Sequence, residues 1–239
     1  MIKQLGTDQK PTWCPGCANF VTLASVKKVL SELHAEGSID IKKTVIVADI
    51  GCGAKIYDYL NINAFYSLHG RVIPTAMGIK AGNPELTVIG FGGDGGTYDE
   101  GMGHLIHASA VNPDITMIVG NNRVFALTKG QPTSSETKNP LSIASVAGAS
   151  FIARGSVYDA DHLAELMKSA VTHKGFSLLE VMEPCLIFKN DAVEMNARTK
   201  RMEGTSAIDR LHVTGDEIPI GVFKKEERGC WEDGFRLMG

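Results

Sequence analysis

Short apolar runs alternate along this chain with longer segments in which apolar residues recur at helical spacing. Five apolar runs predict buried strands: Thr44–Ile50, Leu86–Phe91, Ile115–Val119, Phe151–Ala153 and Phe176–Met182. Helical spacing predicts five helices: Asn19 (as N-cap) to Gly37, Arg71 to Gly82, Tyr98–Val111, Leu141–Ala147 and Asp161–Thr172. This alternation favours an α/β fold, with a doubly wound, mostly parallel sheet covered by helices on both faces.

Two stretches depart from the alternation. The loop Arg123–Pro140 has no clear periodicity, and its length suggests a functional role. Beyond Lys189 the apolar pattern weakens and charged residues become more frequent. We therefore expect one α/β domain over residues 1–189 and a C-terminal arm over residues 190–239.

The order of the predicted strands brings four notable loops together. In a parallel α/β sheet, the loops at the carboxyl ends of the strands form the ligand-binding edge. Four loops directly follow predicted strands: Gly51–Gly53, Gly92–Gly96, Gly120–Asn122 and Glu183–Cys185. Two of them carry cysteine and two carry oxygen ligands. The sequence therefore places a soft-ligand site beside a hard-ligand site.

The charge balance narrows the classes of partner. Lys and Arg number 24 and Asp and Glu 27, a net charge of -3, which argues against broad binding of nucleic acid or of a membrane surface. No apolar run reaches the roughly 18 residues of a membrane helix, and the polar N-terminus has no apolar signal core. We expect a cytoplasmic protein, in which five cysteines indicate metal or redox chemistry rather than disulfides.

Asp94 lies in the glycine-rich turn Gly92–Gly96, between a predicted strand and a predicted helix. Glycines let the backbone approach a phosphate closely, and a helix N-terminus offers free N–H groups. A bare carboxylate would repel a diphosphate unless a hard cation such as Mg²⁺ lay between them. Asn121 and Asn122 follow the next strand and can supply an amide oxygen. The combination favours a metal–diphosphate site over two ordinary turns.

Four cysteines form a candidate metal site. Cys14 and Cys17 are a pair with two residues between them, and Cys52 and Cys185 follow predicted strands. Such a set suits zinc, an iron–sulfur cluster or a thiol–disulfide centre. The thiol–disulfide interpretation expects a strand before the pair, and no strand pattern precedes it. Zinc and iron–sulfur both remain open, and a neighbouring cofactor site that generates reducing electrons favours the cluster.

The stretch from Gly93-Asp94-Gly95 to Asn121-Asn122 resembles the thiamine diphosphate motif, which begins with Gly-Asp-Gly and closes with Asn-Asn. The resemblance implies that Mg²⁺ is held by the side chains of Asp94 and Asn122 and by the backbone carbonyl of Val124. The glycines that it places on the cofactor here are Gly93, Gly95 and Gly96.

The segment Trp13–Cys17 resembles the N-terminal signature of the catalytic β subunit of 2-oxoacid:ferredoxin oxidoreductases. Ile50–Gly53 and Glu183–Cys185 fall where that family places the third and fourth ligands of a four-iron four-sulfur (4Fe-4S) cluster. The resemblance runs from about residue 12 to residue 189 and resumes at Ile218–Phe223, with a shorter stretch between than is usual. The cluster ligands that it implies are Cys14, Cys17, Cys52 and Cys185.

Further contacts follow from the same resemblance. The family places the equivalents of His69 and Gly70 on the cofactor and carries a lysine at the position of Lys55. Its Thr-x-Gly-Gln stretch, over the thiamine ring and substrate, is similar to Leu127–Gln131. Lys55 and Lys129 are equally consistent with solvated loop lysines. The residues implied at the cofactor or in catalysis are Gly51, Cys52, Gly53, Lys55, His69, Gly70, Leu127, Thr128 and Lys129.

The implied activity is oxidative decarboxylation of a 2-oxoacid to acyl-CoA and CO₂. Thiamine diphosphate and Mg²⁺ would be cofactors, coenzyme A the acyl acceptor, and the cluster the route of electrons to ferredoxin. The family supplies its pyrimidine-binding domain and activating glutamate from a separate α subunit, so we expect a heteromer. Two alternatives are a non-oxidative thiamine decarboxylase or synthase subunit with structural zinc, and a non-catalytic metal-binding module.

Overall fold

The computed structural model describes residues 5–202, 211 and 217–236. The helices are α1 (Asn19–Ala35), α2 (Val72–Gly82), α3 (Met102–Val111), α4 (Ser135–Lys138), α5 (Pro140–Val146), α6 (Ala160–Thr172), α7 (Ala192–Arg198) and α8 (Asp233–Arg236). The strands are β1 (Thr44–Ala48), β2 (Asn63–Tyr66), β3 (Thr87–Gly93), β4 (Ile115–Asn121), β5 (Val124–Phe125), β6 (Gln131–Pro132), β7 (Phe151–Ser156), β8 (Ser177–Met182), β9 (Thr199–Arg201) and β10 (Ile218–Lys225).

Eight of these strands form one sheet in the order β2-β1-β3-β4-β8-β7-β10-β9. The first six strands in this spatial order, β2-β1-β3-β4-β8-β7, are parallel to their neighbours, and β10 pairs antiparallel with β7. The carboxyl ends of β1, β3, β4 and β8 are therefore adjacent on one edge. This arrangement confirms the predicted doubly wound, mostly parallel sheet.

Helices cover both faces of the sheet because the strand side chains alternate between them. Ile46 of β1 packs in a core with α1 and α6, whereas the next residue, Val47, packs with α2, α3 and α5 on the other face. Burial of apolar side chains in these two layers supplies the main stabilising free energy. The sheet is thereby held as a rigid support for the loops at its edge.

The glycine-rich segment differs from its prediction as a tight turn. β3 continues to Gly93, which pairs with Gly120 of β4, and Gly95–Glu100 form a π-helical turn before α3 begins. The strand can continue because Gly92 has no Cβ; one would lie 2.8 Å from the Thr97 hydroxyl. The helix predicted from Tyr98 therefore starts as a π turn.

One smaller expectation was wrong, and one strand was not predicted. Asn19 does not cap α1: Ala18 is the N-cap residue, and the buried Asn19 side chain donates to Cys17 Sγ at 3.3 Å. The edge strand β2 is not predicted, because all four of its side chains are exposed and no apolar alternation marks it. The loop Arg123–Pro140 also contains the short hairpin β5–β6 and the helix α4.

The segment beyond Lys189 contributes to the sheet rather than standing apart from it. β10 pairs with β7 through Gly221–Arg154 and Val222–Ala153. The division of the chain at residue 189 stays a prediction. None of the helices that the described residues form combines the length and apolar composition needed to cross a membrane.

Candidate active site

A cleft opens at the carboxyl ends of β1, β3, β4 and β8, where the four predicted loops meet. Twelve of the thirteen residues predicted to contact the cofactor line this cleft. The thirteenth, Gly70, is the residue after His69 and is not part of the lining. The lining residues are Ile50, Gly51, Cys52, Gly53, His69, Gly93, Asp94, Gly95, Gly96, Gly120, Asn122, Val124, Phe125, Ala126, Leu127, Thr128 and Glu183.

Asp94, between β3 and the π-helical turn, is only 1% exposed. Its Oδ2 accepts hydrogen bonds from Thr133 Oγ1 at 2.5 Å and from Ser135 Oγ at 3.2 Å. Burial raises the pKa of this carboxyl to about 6, although the two hydroxyls act in the opposite direction. A nearby cation would favour the ionised form, so the carboxyl suits a hard metal.

The two asparagines after β4 have different surroundings. Asn121 is buried, its Nδ2 donates to Glu180 at 3.0 Å, and its Oδ1 accepts from Ser135 Oγ at 3.2 Å. Asn122 lines the cleft, and its Oδ1 accepts from the backbone N–H of Val124 at 3.1 Å. Asn122 is therefore the asparagine placed to offer an amide oxygen to a ligand in the cleft.

The glycines on the cleft floor leave no room for side chains. A Cβ on Gly96 would lie 1.9 Å from Asp49 Oδ2, and one on Gly95 would lie 2.3 Å from the Phe125 ring. Both residues begin the π-helical turn, whose first N–H groups have no partner within the turn. Close backbone approach and free N–H groups are the features that suit a phosphate.

The loop carrying His69 is fixed from below by Asp49, a residue that the sequence reasoning missed. Asp49 follows β1 and is fully buried; its Oδ1 accepts from the backbone N–H of Gly70 at 2.9 Å. Gly70 has φ +69°, a conformation that favours glycine. On the cleft side, His69 Nδ1 lies 3.0 Å from Glu100 Oε2. The sequence feature that could have identified Asp49 is a charged residue near the end of an otherwise apolar predicted strand.

Three loops bring the four predicted cysteine ligands near one another, and all four are free thiols. Burial raises the pKa of the Cys52 thiol, the charge of Lys55 lowers it, and the charges of Cys17, Cys185 and Cys14 raise it. The Trp13 indole donates to the carbonyl of Cys52 at 2.6 Å. Among the described side chains, no three His, Cys, Asp or Glu residues gather closely enough to hold a single metal ion.

Comparison with known proteins places this cleft in a family. The family model described as thiamine pyrophosphate enzyme, C-terminal TPP binding domain, matches residues 48–181. A 2-oxoacid:ferredoxin oxidoreductase subunit beta from Sulfolobus sp is 37% identical over 92% of this chain and 84% of its own length. Subunit beta of 2-oxoacid:ferredoxin oxidoreductase 2 from Aeropyrum pernix is 38% identical over 88% of this chain and 78% of its own.

This chain belongs to the β subunits of the 2-oxoacid:ferredoxin oxidoreductases. The solved 2-oxoglutarate:ferredoxin oxidoreductase from Magnetococcus marinus, with 2-oxoglutarate, coenzyme A and succinyl-CoA bound, matches with a TM-score of 0.92. That match has 27% identity and covers 99% of this chain and 89% of the other. The predicted family, fold and enzyme class are thus confirmed, and the non-catalytic and non-oxidative alternatives are not supported.

Glu183 is a second cleft residue of this β subunit that the sequence reasoning did not assign to the site. It follows β8, is 3% exposed, and lines the same cleft as Asp94 and Cys52. Burial, followed by the negative charge of Asp94, raises its pKa to about 8. In the described part of the chain its Oε2 has no hydrogen-bond partner. The position directly before Pro184 and Cys185 was the available signal.

Two lysines predicted to act in catalysis lie outside the lining of the cleft. Lys55 is half-buried and close enough to Cys52 to lower the pKa of that thiol. Lys129 is exposed, with φ +79°, one residue beyond Thr128 at the rim. Their roles in this β subunit stay predictions.

Proposed function

We propose that this β subunit binds thiamine diphosphate and Mg²⁺, carries a 4Fe-4S cluster, and acts with an α subunit. The complex would convert a 2-oxoacid and coenzyme A to acyl-CoA and CO₂, with ferredoxin as electron acceptor. The observation that carries the proposal is one cleft that joins the buried Asp94 and Asn122 to Cys52. Hard oxygen ligands and a soft sulfur ligand on one sheet edge suit a cofactor next to an electron acceptor.

The residues on the cleft floor fit a metal-bound diphosphate. Asp94 and Asn122 would hold Mg²⁺ through side-chain oxygens and Val124 through its carbonyl, in accord with the preference of Mg²⁺ for oxygen. Gly95 and Gly96 would admit the phosphates, because no side chain fits at either position. When bound, thiamine diphosphate supplies the carbanion-stabilising ring that decarboxylation of a 2-oxoacid requires.

The cysteine loops support the cluster assignment. Gly16, between Cys14 and Cys17, contacts the segment after Cys185: a Cβ on it would lie 3.5 Å from Leu186 Cδ1. Burial raises the thiol pKa of both Cys17 and Cys52. A metal would reverse that effect, since metal ligation deprotonates a coordinating thiol. Cys52 also lines the cleft, so a cluster held by it would lie beside the cofactor.

The rim of the cleft carries the groups proposed to meet the substrate. His69 and Thr128 line the cleft, and Lys129 lies one residue beyond. Lys129 offers a mobile positive charge for the substrate carboxylate. Lys55 offers a second positive charge near the proposed cluster and diphosphate. The solved relative from Magnetococcus marinus binds 2-oxoglutarate, coenzyme A and succinyl-CoA, which supports a 2-oxoacid and coenzyme A as substrates.

A partner subunit is supported by exposed apolar residues around the cleft mouth. Leu68, next to His69, is 77% exposed, and Leu127 is 50% exposed. Phe65 and Tyr66 of the edge strand β2 are also about half exposed. Such patches mark contacts with other proteins. The relatives are themselves named as β subunits, so we assign this surface to the α subunit that supplies the activating glutamate.

The proposal is tested by anaerobic purification of the full chain, followed by assays for iron, sulfide and bound thiamine diphosphate. We expect four irons and four sulfides per chain, as a 4Fe-4S cluster contains, together with visible absorbance. We also expect 2-oxoacid-dependent reduction of a one-electron acceptor only after the α subunit is added. Zinc in place of iron would refute the cluster, and full turnover without a partner would refute the heteromer.

Asp94 offers a separate test of the metal site. Asp94→Ala should abolish retention of Mg²⁺ and thiamine diphosphate while circular dichroism stays unchanged, because the carboxylate is the proposed charged ligand. The exposed Asp8 provides the matched control, and Asp8→Ala should retain both. Normal cofactor binding by Asp94→Ala would show that the metal is held elsewhere.

A further inference from the structure

The π-helical turn after Asp94 brings two carboxylates to the same side of the backbone. In a π helix the hydrogen bonds join residues five apart, so residues i and i+5 are neighbours. Asp94 precedes the turn Gly95–Glu100 and Asp99 lies five residues later. Both carboxylates accept hydrogen bonds from the same short segment, Thr133–Ser135. π turns recur at functional sites, and this one aligns a proposed metal ligand with an anchor for the loop.

Consecutive residues of the segment alternate between the two carboxylates. Thr133 Oγ1 and Ser135 Oγ donate to Asp94 Oδ2 at 2.5 and 3.2 Å. Between them, the backbone N–H of Ser134 donates to Asp99 Oδ2 at 3.1 Å, and the Ser134 hydroxyl donates to Asp99 Oδ1. The segment is therefore held to the turn at both carboxylates.

Lys138 strengthens the outer of the two contacts. Its Nζ lies 2.7 Å from Asp99 Oδ1, at a position where the lysine side chain is 40% exposed and the aspartate 18%. Asp99 thus accepts from a backbone N–H, a hydroxyl and an ammonium group, a set that fixes its orientation. The segment that carries Thr133 and Ser135 is consequently held in place without a contribution from Asp94.

The inner contact constrains the direction of the Asp94 carboxylate. Each hydroxyl has one hydrogen, and Ser135 Oγ lies within 3.2 Å of Asn121 Oδ1 and of Asp94 Oδ2 and 3.1 Å from Thr133 Oγ1. The Thr133 hydroxyl makes the shortest of these contacts, 2.5 Å to Asp94 Oδ2, and is therefore the main donor to that carboxylate. A donor fixed on Oδ2 limits rotation of the carboxylate about its terminal bond. The direction in which Oδ1 faces the cleft is limited in turn. Mg²⁺ demands near-ideal octahedral geometry, so this restriction bears directly on its affinity.

We propose that Thr133 and Ser135 are positioning residues that orient Asp94 toward the divalent cation, with Asp99 and Lys138 anchoring them. This inference rests on the proposed function, because it presumes that Asp94 ligates the metal. It assigns part of the aperiodic loop to the metal site. That loop also carries Leu127, Thr128 and Lys129, so the residues proposed to face the substrate are tethered to the metal ligand through it.

The test compares Thr133→Val, Thr133→Ser and Thr137→Val in the full chain assembled with its partner. Mg²⁺ and Ca²⁺ are titrated separately by calorimetry in the presence of thiamine diphosphate. Thr133→Val should weaken Mg²⁺ binding about 10- to 100-fold, as loss of an outer-shell partner does. Ca²⁺, which tolerates irregular geometry, should be affected much less. Thr133→Ser should restore the affinity, and Thr137, whose hydroxyl donates to the Ser134 carbonyl and not to Asp94 or Asp99 in the part of the chain that the structure describes, serves as the control.

The outcomes separate this inference from the proposed function. If the unaltered protein binds no Mg²⁺ with thiamine diphosphate, the proposed function fails and this inference fails with it. If the unaltered protein binds both, but Thr133→Val retains Mg²⁺ affinity or loses Mg²⁺ and Ca²⁺ equally, only the positioning role is overturned. Asp99→Asn provides a second measurement: trypsin should cleave faster at the exposed Lys129 in this variant, and an unchanged rate would remove Asp99 from the anchor.

Discussion

Arg154 of β7 and Glu180 of β8 form a buried ion pair beneath the proposed metal site, and we predict that breaking this pair lowers the stability of the protein. The two residues are direct partners in the strand register, and they are 3% and 1% exposed. The Arg154 guanidinium donates to Glu180 and to the carbonyls of Leu211 and Pro219. Glu180 in turn accepts from Asn121 Nδ2 at 3.0 Å.

Arg154→Met removes the guanidinium but keeps most of the side-chain volume. Glu180 is then left as a buried carboxylate without its cationic partner, accepting from the neutral amide of Asn121. Removing one partner of a buried pair costs about 3–5 kcal/mol, because the remaining charge is desolvated without compensation. For a chain of this size, each kcal/mol lowers Tm by roughly 2–4 °C. The expected fall is therefore about 6–20 °C, measured by circular dichroism together with urea unfolding at neutral pH.

The matched control is Arg154→Met combined with Glu180→Leu. Replacing both charges by apolar groups leaves no unpaired ion, so the double variant should recover most of the lost free energy of unfolding. A loss below about 1 kcal/mol in Arg154→Met, within the range of ordinary substitutions, would refute the reasoning. A double variant no more stable than the single one would show that the cost arises from packing rather than from the stranded charge.

Three further predictions concern the edge of the sheet and its support. Gly96→Ala should destabilise the protein by about 1–3 kcal/mol in urea unfolding, because the added Cβ would lie 1.9 Å from Asp49 Oδ2. Gly103→Ala is the control and should be neutral or stabilising, because its Cβ would meet nothing within 4 Å. Equal effects of the two substitutions would contradict the steric reasoning. Burial raises the pKa of Asp114, but hydrogen bonds from Lys174 and Lys80 more than offset this effect and hold the pKa below its usual 3.8. The ionised Asp114 therefore stabilises the folded protein above pH 3.8, and this stabilisation is lost as the pH falls through the pKa of the folded state. Asp114→Asn should reduce the dependence of the unfolding free energy on pH between about pH 5 and 3. An unchanged slope of that free energy against pH would refute the role assigned to Asp114. Lys129→Ala should raise KM for the 2-oxoacid roughly 10- to 100-fold, which corresponds to the loss of one hydrogen bond to a charged group, with cofactor affinity unchanged. An unaltered KM would show that Lys129 does not contact the substrate.

The parallel core of this fold was predictable because its strands are buried on both faces. Runs such as Thr44–Ile50 and Phe176–Met182 are mostly apolar, without strict alternation of apolar and polar residues, which is typical of strands that lie between two layers of helices. Strand order then places their carboxyl ends together without any contact being known. The strand β2 lacks such a run, because it lies at the edge of the sheet and all four of its side chains are exposed.

The position of the cleft was predictable from the order of the strands, and Asp94 lines it, whereas acidic residues whose decisive property is burial were missed. Asp49 and Glu183 end apolar strands, but an acid at a strand end can equally face solvent. The structure buries both, at 0% and 3% exposure. Thr133 and Ser135 were missed for another reason: they lie in an aperiodic loop about forty residues from Asp94, and only the folded chain joins them.

Cys52 is the residue at which the two halves of the proposed chemistry meet. It lines the same cleft as Asp94, and the charges of the other three cysteines raise the pKa of its thiol. Under the proposed function, the short loop Gly51–Gly53, which follows the buried strand β1, would set the separation of cofactor and cluster. Trp13, itself buried, donates to the carbonyl of Cys52 and ties the N-terminal cysteine loop to the same point. Under the proposed function, the rigid edge of the sheet fixes the path of the electrons, while the loops at the rim are left to select the 2-oxoacid.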